Sequence, residues 1–186
     1  MIRLQCICHA MLVCLLGMPM LALSDQNNPR LHDLFDLLRS SSDTQQLIEV
    51  EAEIWDIWYD SGNGEVDAMM AKAASTARAG NLQAAEVLYS GVIEKMPGFS
   101  EGWNRRATIR YYRNDYAGSL ADIEETLRLE PRHFGAIWGL GMILGAQGDY
   151  ERAILAFEQL LEIKPNANDA RPRIELLKQE MAKSAV

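Results

Sequence analysis

SEGWNRRATIRYYRNDYAGSLADIEETLRLEP, residues 100–131, carries an arrangement that recurs one period upstream and one period downstream in this chain of 186 residues. Pro97, Pro131 and Pro165 mark the beat, since 131 − 97 and 165 − 131 both equal 34. A fixed period of about 34 residues points to stacked helical hairpins. Proline stands between units because it cannot continue the preceding helix. Gly80-Asn81, Asn114-Asp115 and Gly148-Asp149 fall inside successive units. They supply the turn within each hairpin, being residues that bend, or hydrogen-bond to, their own backbone.

The spacing of small and large residues carries the same message. Ala73, Ala107 and Gly141 on the first helices, with Ala85, Ser119 and Ala153 on the second, keep side chains small where two helices cross. Tyr89, Ile123 and Phe157, with Ile93, Leu127 and Leu161 four residues on, fill the space beside that crossing. In the third unit Leu140-Gly141, Ala153, Phe157 and Pro165 stand in phase; the second has Trp103, Ala107, Ser119, Ile123 and Pro131, and the first Ala73, Ala85, Tyr89 and Pro97. On these residues Val66 to Ala167 resembles the tetratricopeptide repeat family, whose pattern is W-x2-L-G-x2-Y, then A-x3-F, then P. The resemblance implies an all-α, right-handed solenoid of three hairpins.

Residues 1–24 read as a cleavable secretory leader: Arg3, an apolar run from about Ala10 to Leu23, and small residues at Ala22 and Ser24. Cleavage after Ser24 removes Cys6, Cys8 and Cys14, leaving a mature chain without cysteine, hence without disulfides, thiolate metal sites or a cysteine nucleophile. The expected location is the periplasm or the exterior, with no membrane insertion after cleavage.

Residues 25–65 read as an acidic helical hairpin. Asn28-Pro29 opens its first helix and Leu31, Leu34, Phe35 and Leu38 form one stripe. Asp43 with Gln46 resembles a capping box for the second, whose Leu47, Val50, Ile54, Trp55 and Trp58 face one way. It is expected to cap the start of the solenoid. Repeats follow at residues 66–99, 100–133 and 134–167, and residues 168–186 form a C-terminal capping helix. Residues 25–67 hold 11 acidic side chains against Arg30 and Arg39, whereas residues 68–186 balance 15 against 15. That acidic run is either a solvated face or a dock for a basic partner. No clustered basic face exists to hold nucleic acid.

Candidate chemistry is sparse. Gly139, Gly141 and Gly145 lie within a predicted helix rather than after a strand, so they serve packing and not a phosphate loop. His32 and His133 are single histidines expected at the surface, and no cluster has metal-ligand spacing. No catalytic residue, cofactor or metal is expected. The resemblance places Arg106 and Arg110 at positions that face the neighbouring helices, where they would form either ion pairs, with Asp122 or Glu125 as partners, or an anion site.

In the resembled family, partners lie in the groove lined by each repeat's first helix. By phase that face carries Met70, Arg78, Asn104, Arg105, Thr108, Tyr111, Tyr112, Trp138 and Met142. Tyr, Trp, Met and Arg are enriched at interfaces. With arginines and Asn104 but no lysine there, the face suits an apolar or aromatic peptide or helix better than a terminal carboxylate. Tyr111 and Trp138 fit equally a role packed under the adjoining repeat. The layout, an acidic helix with Ile54-Trp55 and Trp58 followed by three repeats behind a leader, resembles small secreted or periplasmic tetratricopeptide proteins of alphaproteobacteria, and the expected function is a protein–protein interaction module for an envelope protein. A permanent subunit of an outer-membrane or secretion assembly is the alternative, and an enzyme with a spatially assembled site the third.

Overall fold

The structure, a computed structural model, describes residues 25–184. The leader assignment lies outside the described residues. After a 3₁₀ turn at Asp25–Asn27 the chain forms α1 (Arg30–Ser40), α2 (Thr44–Tyr59), α3 (Gly64–Arg78), α4 (Leu82–Lys95) and α5 (Ser100–Tyr112). These are followed by α6 (Tyr116–Leu129), α7 (Phe134–Ala146), α8 (Tyr150–Ile163) and α9 (Ala170–Ser184). The pairs α3–α4, α5–α6 and α7–α8 are antiparallel hairpins stacked in sequence, with α9 against α8.

Local chemistry explains the boundaries. Asn81, Asp115 and Asp149 each cap the second helix of a repeat, their side chains accepting from the N–H groups of Ala84, Gly118 and Arg152. The residue before each cap takes a positive φ: Gly80 at 83°, Asn114 at 60° and Gly148 at 81°, the left-handed conformation that glycine and asparagine tolerate. Gly141 is required by packing instead. A Cβ there would lie 2.7 Å from Cζ of the buried Phe157 ring, so only glycine lets α7 and α8 close.

In the N-terminal hairpin Asp43 caps α2 as expected, whereas Pro29 rather than Asn28 stands at the N-cap of α1, and the hairpin sits elsewhere than expected. Asn28 Oδ1 accepts from Arg30 N–H at 3.0 Å and Asp43 Oδ1 from Gln45 and Gln46 N–H at 2.8 and 3.1 Å. Gln46 does not return to the Asp43 N–H; Ser41 intervenes, its hydroxyl accepting from Asp43 N–H and donating to Gln46 Oε1. Rather than covering the first repeat end-on, α2 meets α5 and α1 meets α8. The buried α1–α2 stripe joins one core with Phe134, Ile137, Phe157 and Leu160 of the third repeat and with Ile174 and Leu177 of α9. Read from its N-terminal to its C-terminal end, α2 passes the repeats in reverse order: Glu51 pairs with Lys164, Trp58 stacks on His133, and Tyr59 receives Arg105. The turn at Ser61–Asn63 then returns the chain to α3, with Gly62 at φ 67° and the Ser61 hydroxyl donating to Asp67 at 2.6 Å. Gln26 adds a tie at the first inter-repeat turn, donating to Gly98 O at 2.8 Å and accepting from Ser100 N–H at 2.9 Å. The hairpin is therefore a brace laid along the edge formed by the inter-repeat turns. The aromatic stripe finds an apolar counterface there, at Phe134 and His133.

Candidate functional site

His133 is the pivot of that brace and is fully buried, contrary to its expected place at the surface. Its ring stacks on Trp58 at 4.2 Å and 9°, and the edge of Trp55 approaches at 5.6 Å. Both nitrogens are engaged. Nδ1 accepts from Ala136 N–H at 3.2 Å and so caps α7, which sets Nε2–H as the donor to Glu101 Oε2 at 3.0 Å. Glu101, itself buried, also accepts from Asn104 at 2.8 Å and from Arg105 Nε at 2.5 Å. Arg105 in turn lies over the Tyr59 ring at 4.8 Å. Burial draws the Arg105 guanidinium below its ordinary pKa. Gly135 is what lets α2 come this close, since a Cβ there would stand 2.8 Å from the Trp55 ring.

Arg106 and Arg110 resolve as ion pairs. Arg106 grips Asp122 through two bonds, Nε to Oδ2 at 2.9 Å and Nη2 to Oδ1 at 2.7 Å, and donates to the Ser90 hydroxyl at 3.1 Å. Arg110 reaches the same Asp122 oxygen at 3.0 Å, Glu86 at 3.0 Å and Gly118 O at 3.2 Å. Arg113 closes the group on Glu86. The network ties α4 to α5 and α6 across a repeat boundary, and its donors are directed at carboxylates rather than at an open cavity. Glu125 takes no part, being paired with Arg128.

The concave face between α5 and α7 holds a cavity of about 380 Å³. Of the nine groove residues read from the sequence, the structure brings Asn104, Thr108, Tyr111, Tyr112, Trp138 and Met142 together around it. Arg105 does not line it and is paired with Glu101. Met70 belongs elsewhere: it points inward with Val66 and Ala73, one turn before and one turn after it on α3, into the core of the first repeat. Arg78 is exposed at the end of α3, outside the cavity. Tyr111 and Trp138 serve in both capacities. Tyr111 packs on Tyr116 at 5.7 Å and Trp138 on Phe157 at 5.1 Å, while each presents a face to the cavity. Tyr112 is 65% exposed and rests on Tyr111 edge-on.

The floor comes from Ser119, Ile123, Gly135, Ala136, Gly139 and Ile143, which phase counting along the first helices misses. Gly135 and Gly139, four apart on α7, were the available signal, because two missing side chains on one ridge open space beside Trp138. A second cavity of about 470 Å³ adjoins the first across Gly135 and Trp138. Its wall includes Glu51 and Trp55 of α2, Phe134, Lys164 and the segment Asn166–Asp169. The Lys164 ammonium is held by Glu51 at 2.5 Å and lies 5.1 Å from the Phe134 ring centre.

Away from the groove, Tyr89 is buried and its phenol is pushed up to about 12, by burial first and then by the Glu101 carboxylate, with Arg78 opposing. Among the described residues no group of three His, Cys, Asp or Glu side chains could hold a metal ion. None of the described helices is long and apolar enough to cross a membrane.

Stacked antiparallel hairpins with a cavity on the inner face define a helical repeat scaffold. The tetratricopeptide repeat profile matches residues 104–168. A TPR repeat-containing protein of Rhizobium etli is 32% identical over 159 residues, spanning 86% of this chain and 78% of the relative. The chain belongs to the tetratricopeptide repeat family, whose members are generally non-catalytic scaffolds. Solved structures share the fold. The first TPR of Spaghetti (RPAP3), bound to the HSP90 peptide SRMEEVD, superposes with a TM-score of 0.61 at 20% identity, over 63% of this chain and 93% of that one. The MamA protein gives 0.61 at 14% identity over 87% of this chain and 81% of that one.

Proposed function

We propose that the protein is a protein-interaction module that holds a peptide or helix of another protein in the groove between α5 and α7, working in the periplasm or outside the cell with an envelope partner. The groove carries this reading. Two helices of successive repeats turn Tyr111, Tyr112, Trp138 and Met142 toward one cavity, and small residues on α7 keep that cavity open. Aromatic side chains of limited rotamer freedom around a preformed apolar hollow are what a binding hot spot requires. Lys164, the one cation lining either cavity, is paired with Glu51, and Arg105, next to Asn104 on α5, is paired with Glu101, so the chemistry offered is apolar and aromatic with a polar contribution from Asn104 and Thr108. The neighbour that binds HSP90 peptide shares the fold, and a peptide in a repeat groove is the simplest use of that shape. Location rests on the leader reading of residues 1–24 and on a remaining chain without cysteine.

The test is affinity capture from periplasmic extract with the wild-type protein beside Tyr112→Ala, followed by mass spectrometry. A partner recovered by the wild type and lost with Tyr112→Ala is the expected result. A partner retained equally by both proteins refutes the groove as the binding surface. Light scattering on the purified protein adds the distinction from a permanent assembly subunit, for which insolubility without a co-expressed partner is expected.

A further inference from the structure

We infer that the segment held in this groove is a cationic amphipathic one, and that the N-terminal hairpin selects it by charge; this deepens the groove reading and rests on it. The two cavities are neighbours separated by Trp138, so an occupant lying over that ring from α5 toward the α8–α9 turn contacts both. The first is lined by neutral residues only. The second is where charge enters. Its single cation, Lys164, is taken by Glu51, whereas Asp169 in the same wall has no ion pair or side-chain hydrogen bond among the described residues.

The helix forming the far side of this second cavity adds to the imbalance. Along α2, Glu51 and Trp55 line the cavity and Tyr59 follows one turn on. Asp56 sits three positions before Tyr59, on the adjoining solvent-facing ridge, exposed and without a cation in ion-pair distance. Trp55 stacks on Tyr59 at 5.6 Å, and both keep part of their surface in solvent, so the aromatic lining of the groove continues onto α2. An occupant therefore meets an apolar and aromatic floor with the unpaired Asp169 carboxylate in the wall of the second cavity and Asp56 on the exposed ridge of α2 beside Trp55 and Tyr59. A segment presenting leucine-like side chains on one face and lysine or arginine on the flank complements both features. An acidic segment would set its carboxylates against Asp56 and Asp169 with no free cation in either cavity to receive them.

The experiment uses the full chain after residue 24 and two fluorescein-labelled probes, an amphipathic peptide of leucine and lysine and its leucine–glutamate counterpart, in fluorescence anisotropy at two ionic strengths. Wild type is compared with Tyr112→Ala and with the double variant Asp56→Lys/Asp169→Asn, each checked for an unchanged melting curve. Binding of the lysine probe, lost with Tyr112→Ala and weakened about tenfold in the charge variant at low salt, is the expected outcome, with that difference shrinking as salt screens charges beyond about 8 Å. Equal or tighter binding of the glutamate probe, itself lost with Tyr112→Ala, overturns the charge selection and leaves the groove reading standing. Binding of either probe that is indifferent to Tyr112→Ala, or no binding of either, overturns both.

Discussion

Two glycines on one helix give the sharpest test of the packing, because the structure assigns opposite signs to the same substitution. In Gly141→Ala the new Cβ would stand 2.7, 2.8 and 3.0 Å from three atoms of the Phe157 ring. That ring is fully buried and backed by Trp138 at 5.1 Å, so it has no room to withdraw. Overpacking of this kind costs about 1–3 kcal/mol. Alanine recovers about 1 kcal/mol in helix propensity, leaving a net loss of roughly 1 kcal/mol. For a domain of this size that lowers Tm by about 2–4 °C. In Gly139→Ala the only close neighbour is the terminal methyl of Ile123 at 3.4 Å, an ordinary contact. The propensity gain of about 1 kcal/mol then stands alone and Tm rises by a similar amount. Thermal melts followed by far-ultraviolet circular dichroism, with urea titrations for the free energies, read both. A Gly141→Ala protein as stable as wild type, or both variants shifting the same way, would refute the assignment of the α7–α8 crossing.

Further outcomes follow from the buried polar groups and the brace. Asp122→Ala removes the buried carboxylate shared by Arg106 and Arg110, and leaving the half-buried Arg106 without its charge partner should cost about 3 kcal/mol in urea denaturation. Trp58→Ala empties a site stacked on His133 and should cost about 3–5 kcal/mol, with hydrogen exchange rising first in α1 and α2. Tyr89 ionises in the folded protein only near pH 12 but near its ordinary value of 10 when unfolded. Its folded pKa is the higher, so unfolding releases a proton above pH 10, and the stability it contributes falls as pH rises from 10 to 12. Absorbance titration should accordingly show one tyrosine ionising late, and Tyr89→Phe should abolish that step.

The repeat register was legible in the sequence because every contact that makes it is local or one period away. Ala107 against Ser119 and Gly141 against Phe157 are short-range pairs set by helix phase, and the Ser119 hydroxyl donates to Ala107 O at 2.8 Å. Asp122 as the partner of Arg106 was legible for the same reason, one helix on within one hairpin. Glu86 was not, since it reaches Arg110 from the preceding repeat. The course of the N-terminal hairpin was the least legible part. Trp58 and His133 are far apart in the chain and belong to no shared period, and a lone histidine among charged neighbours reads as a surface residue until an aromatic ring covers it. Six of the nine groove residues follow from the phase of α5 and α7. Met70 does not, because α3 has no hairpin on its outer side to hold it toward the groove and instead buries its Val66–Met70–Ala73 ridge against α4.

The claim that the concave groove is the working surface is tested most directly by photo-crosslinking in cells. A benzoyl-phenylalanine is placed at Tyr112, at the mouth of the groove, and in a second protein at Val87, equally exposed on α4 at 68%. Discrete adducts of one partner from position 112, absent from position 87, are the predicted result. The same adduct from both positions, or from position 87 alone, would contradict the assignment.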